Sequence, residues 1–83
     1  MPIDTVPPAY PPDAVSREIQ GTVGVEVLVG TDGTVDDAQI LKSIPELDSA
    51  ALEAARKWRF KPAIARGKPV AAWVAVPVRF EAP

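Results

Sequence analysis

The groups with chemistry to offer here are carboxylates, cations and a few aromatic rings, because the 83 residues include neither histidine nor cysteine. That removes the commonest general base, the thiol nucleophile and the imidazole and thiolate ligands of most transition-metal sites. Asp32, Asp36 and Asp37 form the densest set of oxygen ligands. Their spacing fits no calcium loop of adequate ligand count, and a turn explains Asp32 without a metal. Paired carboxylates can do acid–base work in a shared cleft. Nothing in the pattern brings two of them together, and a domain this small has little room for a deep pocket. The expectation is no enzyme, no cofactor and no metal.

Charge is distributed unevenly. Residues 1–55 hold ten acidic and two basic side chains, whereas residues 56–80 hold seven basic and none acidic. The basic run Arg56, Lys57, Arg59, Lys61, Arg66 and Lys68 is of the kind that contacts phosphate. Yet the chain is acidic overall, with a net charge of −2, and the run has no interleaved exposed aromatics. A solvated face and helix-end charges account for it, so no nucleic-acid partner is expected. No apolar run approaches the roughly 20 residues that span a bilayer, and no secretory signal is present.

The elements that position these groups follow from periodicity. Five of the ten prolines fall in residues 1–12, which favours extended polyproline geometry and reads as a spacer over residues 1–9 arriving at a domain of residues 10–83. Pro12 suits the first position of a short helix running to about Ile19 and ended by Gly21. Val23, Val25, Val27 and Val29 alternate as one face of a half-buried strand. Asp32-Gly33 makes a turn into a second strand, Thr34 to about Ser43, with a bulge near Asp36-Asp37 where the alternation slips.

A second helix follows, from about Ser49 to Arg59 or Phe60. Ala51, Leu52, Ala54, Ala55 and Trp58 fall in one stripe about 160° wide, so Leu52 and Trp58 belong to the core. Asp48 suits the N-cap, Leu47 and Leu52 are spaced for a hydrophobic staple, and Pro62 bars further helix. Residues 65–69 read as a turn-rich connection. The last strand starts near Val70, with Val74, Val76, Val78 and Phe80 on one face and Trp73, Ala75, Pro77 and Arg79 on the other. Pro77 has no N–H for a ladder, so this strand belongs at a sheet edge with residue 77 turned outward. The expected architecture is α+β, in the order α-β-β-α-β, with two helices on one face of a three-stranded antiparallel sheet.

Several pieces in order complete a recognisable pattern: Pro8-Ala9-Tyr10-Pro11, the valine-rich residues 21–29, Asp32-Gly33-Thr34-Val35, and Leu47-Asp48 followed by Ala51-Leu52. Trp58-Arg59-Phe60-Lys61-Pro62-Ala63, Gly67-Lys68-Pro69-Val70 and Val76-Pro77-Val78 with Phe80 complete it. From about Pro7 to Phe80 the chain resembles the TonB C-terminal domain family. The resemblance implies a periplasmic domain of an energy transducer of the Gram-negative envelope. In that family an inner-membrane anchor associates with a proton-driven motor, and a proline-rich spacer crosses the periplasm. The C-terminal domain captures the TonB-box peptide of an outer-membrane transporter at a sheet edge, for uptake of cargo such as siderophores. On this view residues 1–9 are the remnant of a longer spacer, and motor proteins are reached only through an anchor that these residues do not include. The glutamine often found just before the family's Tyr-Pro motif is replaced here by Val6-Pro7-Pro8.

An edge strand leaves a row of N–H and C=O groups that an incoming strand can satisfy. The expected peptide-binding residues are therefore Trp73, Val74, Ala75, Val76, Pro77, Val78, Arg79 and Phe80, acting mainly through their backbone. Trp73 and Arg79 would add side-chain contacts. Pro8, Tyr10 and Pro11 lie near the binding face or anchor the spacer through a buried ring. Trp58, Phe60, Leu52, Val25 and Val27 are structural. Because an open edge can meet its own copy, a homodimer is a second outcome, and a scaffold or self-association module of another envelope assembly is the alternative function.

Overall fold

A computed structural model describes residues 2–81. Met1 of the expected spacer and residues 82–83 at the end of the expected domain lie outside the described residues.

The core is built on β2 (Gly21–Val29), whose alternation is as regular as its sequence implies. Val23, Val25, Val27 and Val29 are all buried, and the intervening residues are partly or fully exposed. β2 lies between β3 (Val35–Lys42) and β7 (Ala72–Phe80), both antiparallel to it, in the order β3-β2-β7. Two helices cover the valine face. α1 (Pro12–Ser16) contributes Ala14, and α2 (Asp48–Arg56) contributes Ala51 and Ala55, whose small side chains let the helix approach the sheet closely. Leu47, Phe60 and Phe80 supply the bulk. No helix among the described residues is long and apolar enough to cross a membrane.

The expected bulge is present. Leu28 pairs with Asp37 while Val29 pairs with Val35, leaving Asp36 as the extra residue. A second shift was not anticipated: Gly24 pairs with Lys42 and Val25 with Ile40, so Leu41 is also extra.

α1 stops at Ser16 rather than near Ile19, and Gly21 is not its terminator. Glu18 adopts φ 56°, Ile19 donates its N–H to the Ala14 carbonyl (2.9 Å) and Glu18 donates to Val15 (3.1 Å). This is a Schellman closure in which Glu18 occupies the left-handed position that usually belongs to glycine, with Ile19 and Ala14 supplying its apolar contact.

α2 also differs from expectation at both ends. Leu47 is the N-cap residue, and its carbonyl accepts the Ala51 N–H (2.9 Å). Asp48 is therefore inside the first turn, where its carboxylate reaches back to the Ile44 N–H (2.9 Å) and the Ser43 hydroxyl, closing the preceding turn instead of capping. Leu47 is fully buried, whereas Leu52 is half-buried and packs against the core margin.

At its C-terminus α2 ends at Arg56, and Arg59–Phe60 form a short strand, β4. The Phe60 N–H donates to the Gly33 carbonyl (2.8 Å), so tertiary pairing overrides helix propensity there. Trp58 consequently lies beyond the helix. It is half-buried against the core, tilted on Phe60 at 6.3 Å between ring centroids, and its Nε1 donates to the Val6 carbonyl at 2.9 Å. β4 also pairs with β1 (Pro2–Asp4), so part of the proline-rich arm is hydrogen-bonded to the domain.

The connection over 65–69 is a small hairpin of β5 (Ala63–Ala65) and β6 (Lys68–Val70), turned by Arg66 (φ 52°) and Gly67 (φ 76°). Val70 belongs to this hairpin, and the long last strand begins only at Ala72.

Candidate functional site: an unpaired sheet edge

The three-stranded sheet has two edges, and they differ. β3 carries both bulges and the exposed charges Asp36, Asp37 and Lys42, features that discourage further pairing. β7 pairs with β2 from Gly21↔Phe80 to Val29↔Ala72 without one register shift, and its other side has no partner among the described residues. Nine residues at about 3.4 Å each give an open edge about 30 Å long.

Which backbone groups face outward follows from two observations. Gly30 donates its N–H to the Thr34 carbonyl (2.8 Å), so even-numbered residues of this regular strand direct their backbone groups toward β3 and odd-numbered ones toward β7. Gly24, the residue opposite Pro77, is even. Pro77 is thus a non-hydrogen-bonded partner of β2, the only arrangement in which a proline leaves an uninterrupted ladder intact. Trp73, Ala75 and Arg79 therefore present N–H groups on the open side, and Trp73, Ala75, Pro77 and Arg79 present carbonyls.

Side chains divide accordingly. Val76, Val78 and Phe80 are buried and Val74 is half-buried against the core, while Trp73, Ala75, Pro77 and Arg79 are exposed on the face away from the helices. Trp73 stands opposite Leu28, and Ala75 opposite Glu26, which accepts a hydrogen bond from Gln39 (2.6 Å). Arg79 is engaged by Glu81 at 2.6 Å, an ion pair whose members are both exposed. Such a pair contributes little to stability, but it largely neutralises the one charge on the edge strand.

The Pro8, Tyr10 and Pro11 motif sits at the far end of the strand. The Tyr10 ring meets Phe80 edge-on, with centroids 5.5 Å apart and planes at 79°, and its hydroxyl donates to the Ile19 carbonyl. The ring is half-buried and packs against the core. Pro11 is the N-cap of α1, its carbonyl accepting the Val15 N–H (3.0 Å), and Pro8 is half-buried. Phe60, Val25 and Val27 are buried in the core, whereas Trp58 contributes from its margin. Sequence reasoning missed the Trp58–Val6 bond, for which a 52-residue separation leaves no local signal.

Among the described residues no three carboxylates converge closely enough to hold a metal ion. The Asp32 carboxylate accepts hydrogen bonds from the Thr34 hydroxyl (2.6 Å) and the Thr34 N–H (3.0 Å), the usual bonding of a turn aspartate. Those bonds, with a smaller contribution from the Arg59 charge, hold its carboxyl below the ordinary aspartate range.

Residues 6–82 match the family described as the Gram-negative bacterial TonB protein C-terminal. The chain belongs to the TonB C-terminal family. It is 42% identical over 72 residues to the Protein TonB of Pseudomonas aeruginosa, covering 84% of this chain and 21% of that protein. Identity is 41% over 78 residues to the Protein TonB of Vibrio cholerae, covering 92% of this chain and 32% of that protein. The chain thus spans between a fifth and a third of the length of these TonB relatives. Its fold is similar to the solution NMR structure of the Pseudomonas aeruginosa TonB CTD, with a TM-score of 0.74 and 37% identity over 98% of this chain and 84% of that one. The α+β architecture expected from sequence is therefore that of the TonB C-terminal family.

Proposed function

We propose that this chain is the peptide-capturing domain of a TonB-like energy transducer, and that its β7 edge takes up the TonB-box segment of an outer-membrane transporter as an added strand. Residues 1–9 end a proline-rich spacer, and residues 10–83 are the binding domain. In the whole protein the spacer leads back across the periplasm to an inner-membrane anchor and a proton-driven motor, so that tension on the paired peptide drives active uptake. The domain works by binding and takes no cofactor.

The observation that carries this reading is the open, unbulged length of β7 in a domain of the TonB C-terminal family. Main-chain bonds to Trp73, Ala75, Pro77 and Arg79 supply affinity with little dependence on sequence, while Trp73 offers an aromatic surface beside the incoming side chains. Amide-resolved NMR titration with extended peptides from the N-termini of candidate transporters tests it. The expected result is saturable shifts concentrated on residues 72–80, with slowed exchange at the Trp73, Ala75 and Arg79 amides. Shifts that saturate elsewhere and leave those three amides in fast exchange would sink strand addition at this edge.

A further inference from the structure

The exposed row of β7 is poorly guarded against a second copy of the same strand. Natural edges are protected by bulges, by charges or by proline. β3 uses the first two, but β7 has no bulge, and its one charged side chain, Arg79, is already occupied by Glu81 at 2.6 Å. Trp73 and Ala75 repel nothing. The remaining guard is Pro77, whose nitrogen faces the open side and carries no hydrogen.

We propose that Pro77 selects the partner of this edge, disfavouring a second copy of the chain more than a foreign strand. The argument is one of symmetry. A two-fold dimer is isologous, so each strand contributes the same groups and each defect occurs twice. An antiparallel β7–β7 ladder spanning the middle of the strand contains both copies of Pro77, whether opposite each other or at separate pairs. It loses two N–H···O bonds. Sliding the strands until both prolines leave the ladder shortens it to a few pairs. A foreign extended strand brings its own N–H groups and loses only the one bond that Pro77 withholds. Each neutral backbone bond is worth about five-fold in an association constant, so the handicap is about five-fold for a foreign strand and about 30-fold for self-pairing. The exposed carbonyl left unmatched is hydrated and adds no burial cost.

This inference rests on strand addition at β7, and its test separates the two ideas. Pro77→Ala restores the outward N–H without touching a β2–β7 bond, and Ala75→Pro removes a second outward N–H by the same geometry. Dimerisation is read by sedimentation equilibrium up to millimolar concentration, and peptide capture by titration of the same samples, with amide spectra checking the fold. For Pro77→Ala the expected result is dimerisation strengthened about 30-fold, with peptide association strengthened about five-fold. Ala75→Pro weakens dimerisation about 30-fold and peptide association about five-fold. A Pro77→Ala chain that stays as monomeric as the parent overturns the proposal, as does an equal factor for both reactions. A parent chain already dimeric through β7 at micromolar concentration overturns it too. If no transporter peptide binds either protein, the functional reading fails, while the dimerisation ratio alone supports Pro77 selection at about 30-fold and refutes it at unity.

Discussion

Replacing Tyr10 by phenylalanine isolates one contact between the proline-rich segment and the connection from α1 to β2. The substitution removes the hydroxyl that donates to the Ile19 carbonyl and retains the edge-on ring contact with Phe80. A part-buried neutral hydrogen bond contributes about 1 kcal/mol net, and for a domain of this length that corresponds to a fall of about 4–8 °C in Tm. Tyr10→Ala also removes a half-buried ring. Scaling the ~3–5 kcal/mol of a fully buried aromatic by half, and adding the lost bond, gives about 3 kcal/mol. That is a large part of the roughly 5 kcal/mol available to so small a domain. Urea unfolding followed by fluorescence of Trp58 and Trp73 measures both changes, and peptide titration below the transition measures capture. The ring faces the core, so affinity of the folded Tyr10→Phe protein should stay within about two-fold of the parent, an effect of a few tenths of a kcal/mol. An unchanged unfolding midpoint together with a clear loss of affinity would refute the anchoring argument and return Tyr10 to the binding face.

Two glycines with similar backbone angles should respond differently to alanine. Gly33 (φ 85°) has the Phe60 carbonyl oxygen 2.2 Å from where a Cβ would sit, so Gly33→Ala disrupts the turn's pairing with β4 and costs upwards of about 3 kcal/mol. Gly67 (φ 76°) faces open space, and Gly67→Ala should cost only the left-handed penalty of about 1 kcal/mol; equal costs in urea unfolding would refute the distinction. Asp32 should titrate below an ordinary aspartate in carbon-detected NMR, since its charged form accepts the two Thr34 bonds. The stabilisation linked to it is present above the unfolded-state pKa and is lost as pH falls through the lowered folded-state value; Thr34→Val should move the midpoint upward. Trp58→Phe removes the bond to the Val6 carbonyl, at about 1 kcal/mol, and amide exchange over residues 3–6 should accelerate, whereas unchanged exchange there would show that the arm is held by other contacts.

The sequence by itself determined the elements whose burial repeats along the chain. The four valines of β2 and the alternation of Val74, Val76, Val78 and Phe80 need only a period of two. Pro77 placed its strand at an edge because a missing N–H is a local chemical fact. The break in alternation after Val35 located the Asp36 bulge for the same reason. The hairpin of β5 and β6 was not legible, since two three-residue strands in which only Val70 is even half-buried carry no burial pattern. Glu18 in a left-handed cap was not legible either, because its conformation is imposed by closing α1 onto Ile19 rather than by its own preference. Tertiary structure alone decided that α2 yields at Arg56 to strand pairing with Gly33, that Leu47 rather than Leu52 fills the core, and that Trp58 ties down the arm. It also decided which strand β7 joins and in what register. Pro77 by itself requires only that its nitrogen face away from the ladder; that the ladder is β2, aligned from Gly21↔Phe80 to Val29↔Ala72, is a long-range pairing between residues some fifty positions apart that no local pattern in either strand encodes.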